Sequence, residues 1–329
     1  SGFNFSLSHI RDIAYVAGPR SITLGVQQLR LLTFATAGSL LPAGAISVYN
    51  LSYNLYWIPV SIIVMSYLVT IYPKLTSIKD RAELSDLSSS VLNYFIFILT
   101  PIIVFGFILR AHIVRIVYGT GLFDWQATKL ISATFAVFLF ALLFDAIRKL
   151  FSRILFARGV VGVQLLIEII LFAVQSFVFL FAFKSVVGFT SPFITKLLNI
   201  NSDSVQIVSL AIIFFLLCVV ELVALYVFVK KYVDLRISST LLHSIFASIA
   251  GGVIMYLGLN IFEDWNKIQE TTFGLLLQVS LASIMGVFAW YLILKIFNNK
   301  EIGSLEQAVR GRIWRSERVK TSENIEAVE

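Results

Sequence analysis

Long apolar runs broken by short polar segments dominate the chain, and runs of about 20 residues are long enough to cross about 30 Å of hydrocarbon as helices. Eight such runs are legible: 21–41, 45–73, 90–110, 131–151, 161–184, 206–229, 240–262 and 272–296. The pattern predicts an all-α, polytopic transmembrane helix bundle of about eight spanning helices. The second run is too long for one straight crossing, and Pro59 near its middle predicts a kink. Before the first run, Phe3, Leu7, Ile10, Ala14 and Ala17 recur every three or four residues. That spacing predicts an amphipathic lead-in helix over 1–20, lying on the membrane surface.

The polar segments subdivide the rest. Residues 74–89, with Lys74, Lys79, Asp80, Arg81, Glu83 and Asp86, read as a surface helix, and 111–130 contain a turn-rich stretch from Tyr118 to Asp124. Residues 185–205 read as a longer loop. Residues 21–229 then form a six-helix lobe, 230–297 add two further transmembrane helices, and 298–329 form a polar tail expected to be partly disordered. If the chain starts in the cytoplasm and alternates sides, 19 of its 26 Lys and Arg residues lie in cytoplasmic segments and 6 in outer ones, with Arg30 at membrane depth. This bias predicts that both ends of the segment are cytoplasmic. The chain starts with Ser rather than Met, so it is expected to be a processed or excised piece of a longer protein.

Composition agrees: 58% of the 329 residues are hydrophobic and 14% charged, against about 45–50% and about 25% in soluble domains. The net charge of +7 reads as cytoplasmic-loop charge and not as a nucleic-acid footprint. Cys218 is the single cysteine, which excludes a disulfide framework and a cysteine-based zinc site. His9, His112 and His243 are too scattered for a metal cluster. The sequence holds no P-loop, nucleophile elbow or metal-ligand spacing, so neither an enzyme, a cofactor nor direct ATP coupling is expected.

Chemistry is expected where polar groups sit at membrane depth. Gln27 and Arg30 share a face of the first helix, with Thr23 one turn earlier. Asn50 and Asn54 share a face of the second, with Trp57 continuing the stripe. An intramembrane charge costs at least about 2.5–3.5 kcal/mol and is functional by default. One reading is a water-filled cavity in which Gln27, Arg30, Asn50 and Asn54 bind a polar or anionic headgroup, the guanidinium suiting a phosphate. The other is that Asn and Gln tie helices together and Arg30 pairs with a buried carboxylate. Glu168, on a stripe with Gln164 and Gln175, and Glu221, deep in the sixth run, are candidates for proton or cation coupling or for that pairing. Asp145 and Arg148 are expected to form a local ion pair near a helix end. Gly251 and Gly252 read as close helix packing, and His243 as structural.

Read in order, Gly18-Pro19-Arg20, Leu24-Gly25-Val26 and Gln28, Ala43-Gly44-Ala45-Ile46-Ser47, Asn54-Leu55 with Pro59, and Tyr72-Pro73-Lys74-Leu75 form a series of motifs along the first hairpin. In that order and spacing they resemble the MurJ family of lipid II flippases. Val117 to Asp124 resembles that family's Gly-x-Phe-Asp loop, and Arg153 to Gly159 its next cytoplasmic turn. The similarity is clear over 18–160 and weaker beyond. It implies a 14-helix transporter of the bacterial inner membrane that moves undecaprenyl-linked peptidoglycan precursor outward by alternating access. The present chain would be its second lobe plus two extra helices, which help to line a lipid-tail groove. Its partners would be the lipid-linked glycan, membrane lipids and the N-terminal lobe of the same protein, with no nucleic acid.

Three positions depart from the family pattern. Asn54 stands where many members carry Arg, Arg30 stands where a small polar residue is common, and no Asp-Thr-x-Thr-Pro turn follows Arg158. The substrate therefore stays open between lipid II and another polyprenyl-linked glycan, and a non-transporting membrane scaffold is the reading from a different class.

Overall fold

The computed structural model describes residues 7–119, 125–198, 204–238, 240–263, 272–297, 299 and 301–303. These residues form ten α-helices: α1 (Leu7–Ser39), α2 (Ala45–Pro59), α3 (Ser66–Ser77), α4 (Arg81–Tyr118), α5 (Trp125–Ala157), α6 (Val161–Phe177), α7 (Phe183–Leu198), α8 (Val205–Val229), α9 (Thr240–Glu263) and α10 (Thr272–Ile296). Two π-helical turns, Val60–Met65 and Val178–Ala182, join α2 to α3 and α6 to α7 without a break. Seven stretches are long and apolar enough to cross a membrane: Ala45–Ser77, Arg81–Tyr118, Trp125–Ala157, Val161–Pro192, Val205–Val229, Leu241–Ile261 and Phe273–Ile296. The chain is thus a multi-pass membrane protein. The stretch expected over 21–41 lies in α1, which is long enough but is kept out of this set by Gln27, Gln28 and Arg30.

Several boundaries differ from the expectation. There is no helix end at residue 20, because α1 runs from Leu7 to Ser39 as one piece. The segment 74–89 is not one helix. Ile78 turns extended after α3, and Asp80 caps a new helix by accepting the Glu83 backbone N–H at 3.1 Å. Most of 185–205 is helical rather than loop, since α7 continues to Leu198. Its hydroxyls bond back onto the helix, Thr190 to the Val186 carbonyl and Thr195 to that of Ser191, each at 2.8 Å. Back-bonded hydroxyls of this kind let a helix carry a polar surface that in the sequence alone has the composition of a loop. At Pro59 the missing N–H and the bulky ring break the i to i−4 ladder, and the winding widens to a π turn. Residues 1–6, 120–124, 199–203, 239, 264–271, 298, 300 and 304–329 lie outside the described residues, and with them Phe3, the tip of the Tyr118–Asp124 turn and most of the tail.

The described residues within 1–95 and 109–236 form one compact unit, and those within 96–108 and 237–329 form a second. In the first, α5 is the central helix, with Phe138, Leu139, Leu142, Leu150 and Ile154 buried. A ladder of rings lies beside it. Phe138 meets Tyr49 at 5.4 Å, Tyr56 at 5.4 Å and Phe214 of α8 at 5.3 Å between centroids, while Phe34 of α1 stacks on Tyr49 at 5.5 Å. The α1–α2 turn is tight because Gly44 takes the left-handed conformation, φ 90°, and because a Cβ on Gly38 would stand 2.8 Å from Ile46 Cγ1. At the other end Arg158 Nη2 donates to the carbonyls of Leu75 at 2.7 Å and Ile78 at 2.5 Å, tying the end of α5 to that of α3.

In the second unit α9 and α10 pack through small residues. A Cβ on Gly251 would stand 2.7 Å from the Gly286 carbonyl oxygen, and one on Gly286 would stand 2.8 Å from Met255 Cβ. A Cβ on Gly252 would strike Val104 Cγ1 at 2.7 Å. Packing of this kind drives association in lipid, where burying apolar surface against a neighbour brings no hydrophobic gain. Gly251→Ala is expected to cost about 1–3 kcal/mol, because a backbone carbonyl cannot step aside as a side chain would. Gly25→Ala, with nothing within 4 Å, should be neutral or slightly stabilising. Unfolding midpoints of the two variants in detergent compare them directly.

Candidate functional site

The polar faces of α1 and α6 meet inside the first unit. Gln27 Nε2 donates to Glu168 Oε1 at 2.6 Å, and Arg30 Nη1 to Glu168 Oε2 at 2.6 Å. Gln164, one turn before Glu168, donates to Oε1 at 3.4 Å. One turn further along α1, Arg30 Nε donates to Gln175 Oε1 at 3.2 Å, while Gln175 Nε2 donates to the Arg30 carbonyl at 2.7 Å and to the Thr33 hydroxyl. The Gln164, Glu168 and Gln175 stripe thus matches the Gln27, Arg30 and Thr33 stripe, both set by helical spacing.

From Arg30 the network crosses the bundle. Its Nη1 also donates to Glu221 Oε2 of α8 at 3.1 Å, and the other Glu221 oxygen accepts from Arg148 Nη1 of α5 at 2.5 Å. Arg148 Nη2 pairs with Asp145 Oδ1 at 2.6 Å and its Nε donates to the same oxygen at 2.8 Å. Lys149 donates to Asp145 Oδ1 at 2.5 Å, and Lys149 and the Tyr56 hydroxyl both donate to Oδ2. Lys149 also lies over the Trp57 ring, 5.6 Å from its centroid.

Three cations, Arg30, Arg148 and Lys149, therefore balance three carboxylates, Asp145, Glu168 and Glu221. The carboxylate side chains are 0–2% exposed and the cations 14–18%, so the cluster reaches its surroundings through its cations. Buried pairs hold only when both charges and their remaining hydrogen-bonding positions are satisfied, and both oxygens of each carboxylate are engaged here. Among the described residues no group of three or more His, Cys, Asp and Glu could hold a metal ion.

The two sequence alternatives for Glu168 and Glu221 as partners of Arg30 are both realised, on one guanidinium. The Asp145–Arg148 pair is present, yet it is the buried middle of a larger cluster and not an isolated interfacial bridge. The sequence reading missed the membership of Arg148, Lys149 and Tyr56. Their local signal was the i, i+4 spacing of Asp145 and Lys149. Asn50 and Asn54 stand apart: both are exposed on α2 beside Trp57, and among the described residues no hydrogen bond links them to Gln27 or Arg30. His243 stacks face to face on Phe297 at 4.8 Å.

Comparison with known proteins adds three findings. The family model described as lipid II flippase MurJ matches residues 2–272. A curated protein of Rickettsia prowazekii (strain Madrid E), described as a probable lipid II flippase MurJ, is 26% identical over 154 residues, which is 46% of this chain and 30% of that protein. A solved structure titled lipid II flippase MurJ, inward closed conformation, superposes on 92% of this chain and 57% of its own, with a TM-score of 0.59 and 16% identity. At that identity the superposition speaks for the fold alone. In both comparisons the chain spans less than two thirds of the length of its match.

Proposed function

The chain belongs to the lipid II flippase MurJ family, and from that premise we infer that it is the C-terminal part of a transporter carrying lipid-linked peptidoglycan precursor, lipid II, across the bacterial inner membrane by alternating access. The observation that carries this reading is the family match over residues 2–272. In this proposal an N-terminal lobe of the same protein completes the transport cavity and both ends of the present segment are cytoplasmic, in line with the Lys and Arg bias. The protein acts as a transporter and not as an enzyme.

The headgroup contacts are Gln27, Arg30, Asn50 and Asn54. Asn50 and Asn54 are exposed and uncommitted among the described residues, so they are available to sugar or peptide groups as they stand. Arg30 is engaged, and a diphosphate would have to exchange with Glu168 or Glu221 for its guanidinium. Withdrawing Arg30 leaves the cluster with one uncompensated negative charge. A proton or monovalent cation arriving at Glu168 or Glu221 would neutralise it, and substrate capture would thereby be coupled to an ion.

The test joins the chain to the N-terminal portion of its own protein in cells depleted of their lipid II flippase. Growth should be restored and lipid II should not accumulate. Restored growth of cells lacking a different polyprenyl-linked glycan exporter, with lipid II still accumulating, would reassign the substrate. In the same protein the double variant Asn50→Leu, Asn54→Leu should weaken headgroup binding about tenfold at unchanged stability, since two exposed hydrogen bonds to a ligand are worth about 1–3 kcal/mol together.

A further inference from the structure

A cavity lies within the first unit, against Thr33 at the end of the Arg30 and Gln175 network. It has a volume of about 530 Å³ and opens among the last turns of α1, the α6–α7 junction and the start of α8. That volume falls in the range of cavities that hold small ligands, about 300–1,000 Å³. Leu40, Leu41, Phe179, Leu180 and Phe183 form apolar walls, and Ser176, Lys184 and Gln206 add polar groups. Among the described residues none of those three side chains has a hydrogen-bond or ion-pair partner. In lipid an uncompensated polar group is costly, and basic groups between transmembrane helices are a recurrent solution for holding lipid headgroups. The rim is itself greasy: Leu40 is 83% and Leu180 75% exposed.

We propose that this cavity is a binding site for one anionic glycerophospholipid, with an acyl chain along Leu40, Phe179, Leu180 and Phe183 and its phosphate on Lys184, Ser176 and Gln206. The apolar walls select a lipid over a soluble anion. The single uncompensated ammonium at the rim selects an anionic headgroup over a zwitterionic one, whose own cation would compete for the phosphate. The site is separate from the headgroup contacts proposed above, and it stands whether or not the transported molecule is lipid II.

The full-length protein, purified in mild detergent, is presented with phosphatidylglycerol or phosphatidylcholine, and retained lipid is counted by native mass spectrometry. The expected result is one phosphatidylglycerol held about tenfold more tightly than phosphatidylcholine. Lys184→Gln should remove that preference, Lys184→Arg should keep it, and Leu180→Trp should expel the lipid by filling the mouth. Leu180 and Lys184 are both exposed, so folding is not at stake, and unchanged melting of each variant checks this. The proposal is overturned if Lys184→Gln retains the preference, if Leu180→Trp retains the lipid, or if both lipids bind alike. Stoichiometric displacement of phosphatidylglycerol by undecaprenyl diphosphate would also overturn it, because the cavity would then belong to the substrate.

Discussion

Asp145→Ala is expected to destabilise the bundle by about 3–5 kcal/mol, the usual cost of orphaning a buried charge. Asp145 is fully buried and accepts from Arg148, Lys149 and Tyr56. Without it the cluster carries a net positive charge and the Tyr56 hydroxyl loses its acceptor. Arg148 keeps Glu221, so the stranded group is chiefly Lys149. The double variant Asp145→Ala, Lys149→Met restores neutrality and is expected to recover at least half of the loss. Denaturant unfolding in mixed micelles gives both values, and an unfolding midpoint for Asp145→Ala equal to that of the parent would mean that these charges find other partners.

Arg30→Ala should cost about 2–5 kcal/mol and also abolish rescue of flippase-depleted cells. One guanidinium serves two carboxylates and a glutamine on two other helices, so its loss loosens α1 from both α6 and α8. Combining it with Glu168→Gln separates the two roles. The pair restores charge balance and should regain stability, with a coupling energy of about 0.5–3 kcal/mol between the sites. Under the proposed function transport should stay lost, because the headgroup phosphate would then have no guanidinium to meet. A double variant that regains stability and growth together would reduce Arg30 to a structural brace. Arg30→Lys is expected to fall between, since a single ammonium lacks the fork that reaches Glu168, Glu221 and Gln175 at once.

Helical periodicity made most of this fold readable, because a run of about 20 apolar residues has few alternatives in a membrane. What periodicity could not supply was ends. Lys184, Ser185, Thr190, Ser191 and Pro192 look like loop chemistry, yet α7 tolerates them by bonding its hydroxyls backward and by carrying Pro192 inside the helix. The polar stripes of α1 and α6 were legible one helix at a time. The sequence offered Glu168 as a candidate partner for Arg30 but could not choose it, because the register between helices 138 residues apart is set by packing that no local pattern encodes. Asp145 shows the same limit from the other side: its spacing to Arg148 announced a pair, but nothing nearby in the chain pointed to Glu221. Asn50 and Asn54 share a face by spacing, as read in the sequence, and both are exposed on α2; their part in headgroup binding belongs to the proposed function.

The long chain separation inside the charged cluster has a consequence for how the protein is made. Arg30 is synthesised before either of its carboxylates. Glu168 and Glu221 follow 138 and 191 residues later, which at about 5–20 residues per second means a wait of roughly 10–40 s for the full set. During that interval α1, the stretch with too many polar groups to qualify as a span by hydropathy, has no reason to settle deep in lipid. Late insertion, or shelter by the insertion machinery until α6 and α8 emerge, follows from that order of synthesis. Truncation after α5 should then leave α1 loosely held and quickly degraded, while α5 itself, born with Asp145, Arg148 and Lys149 within four residues of one another, should already be in place.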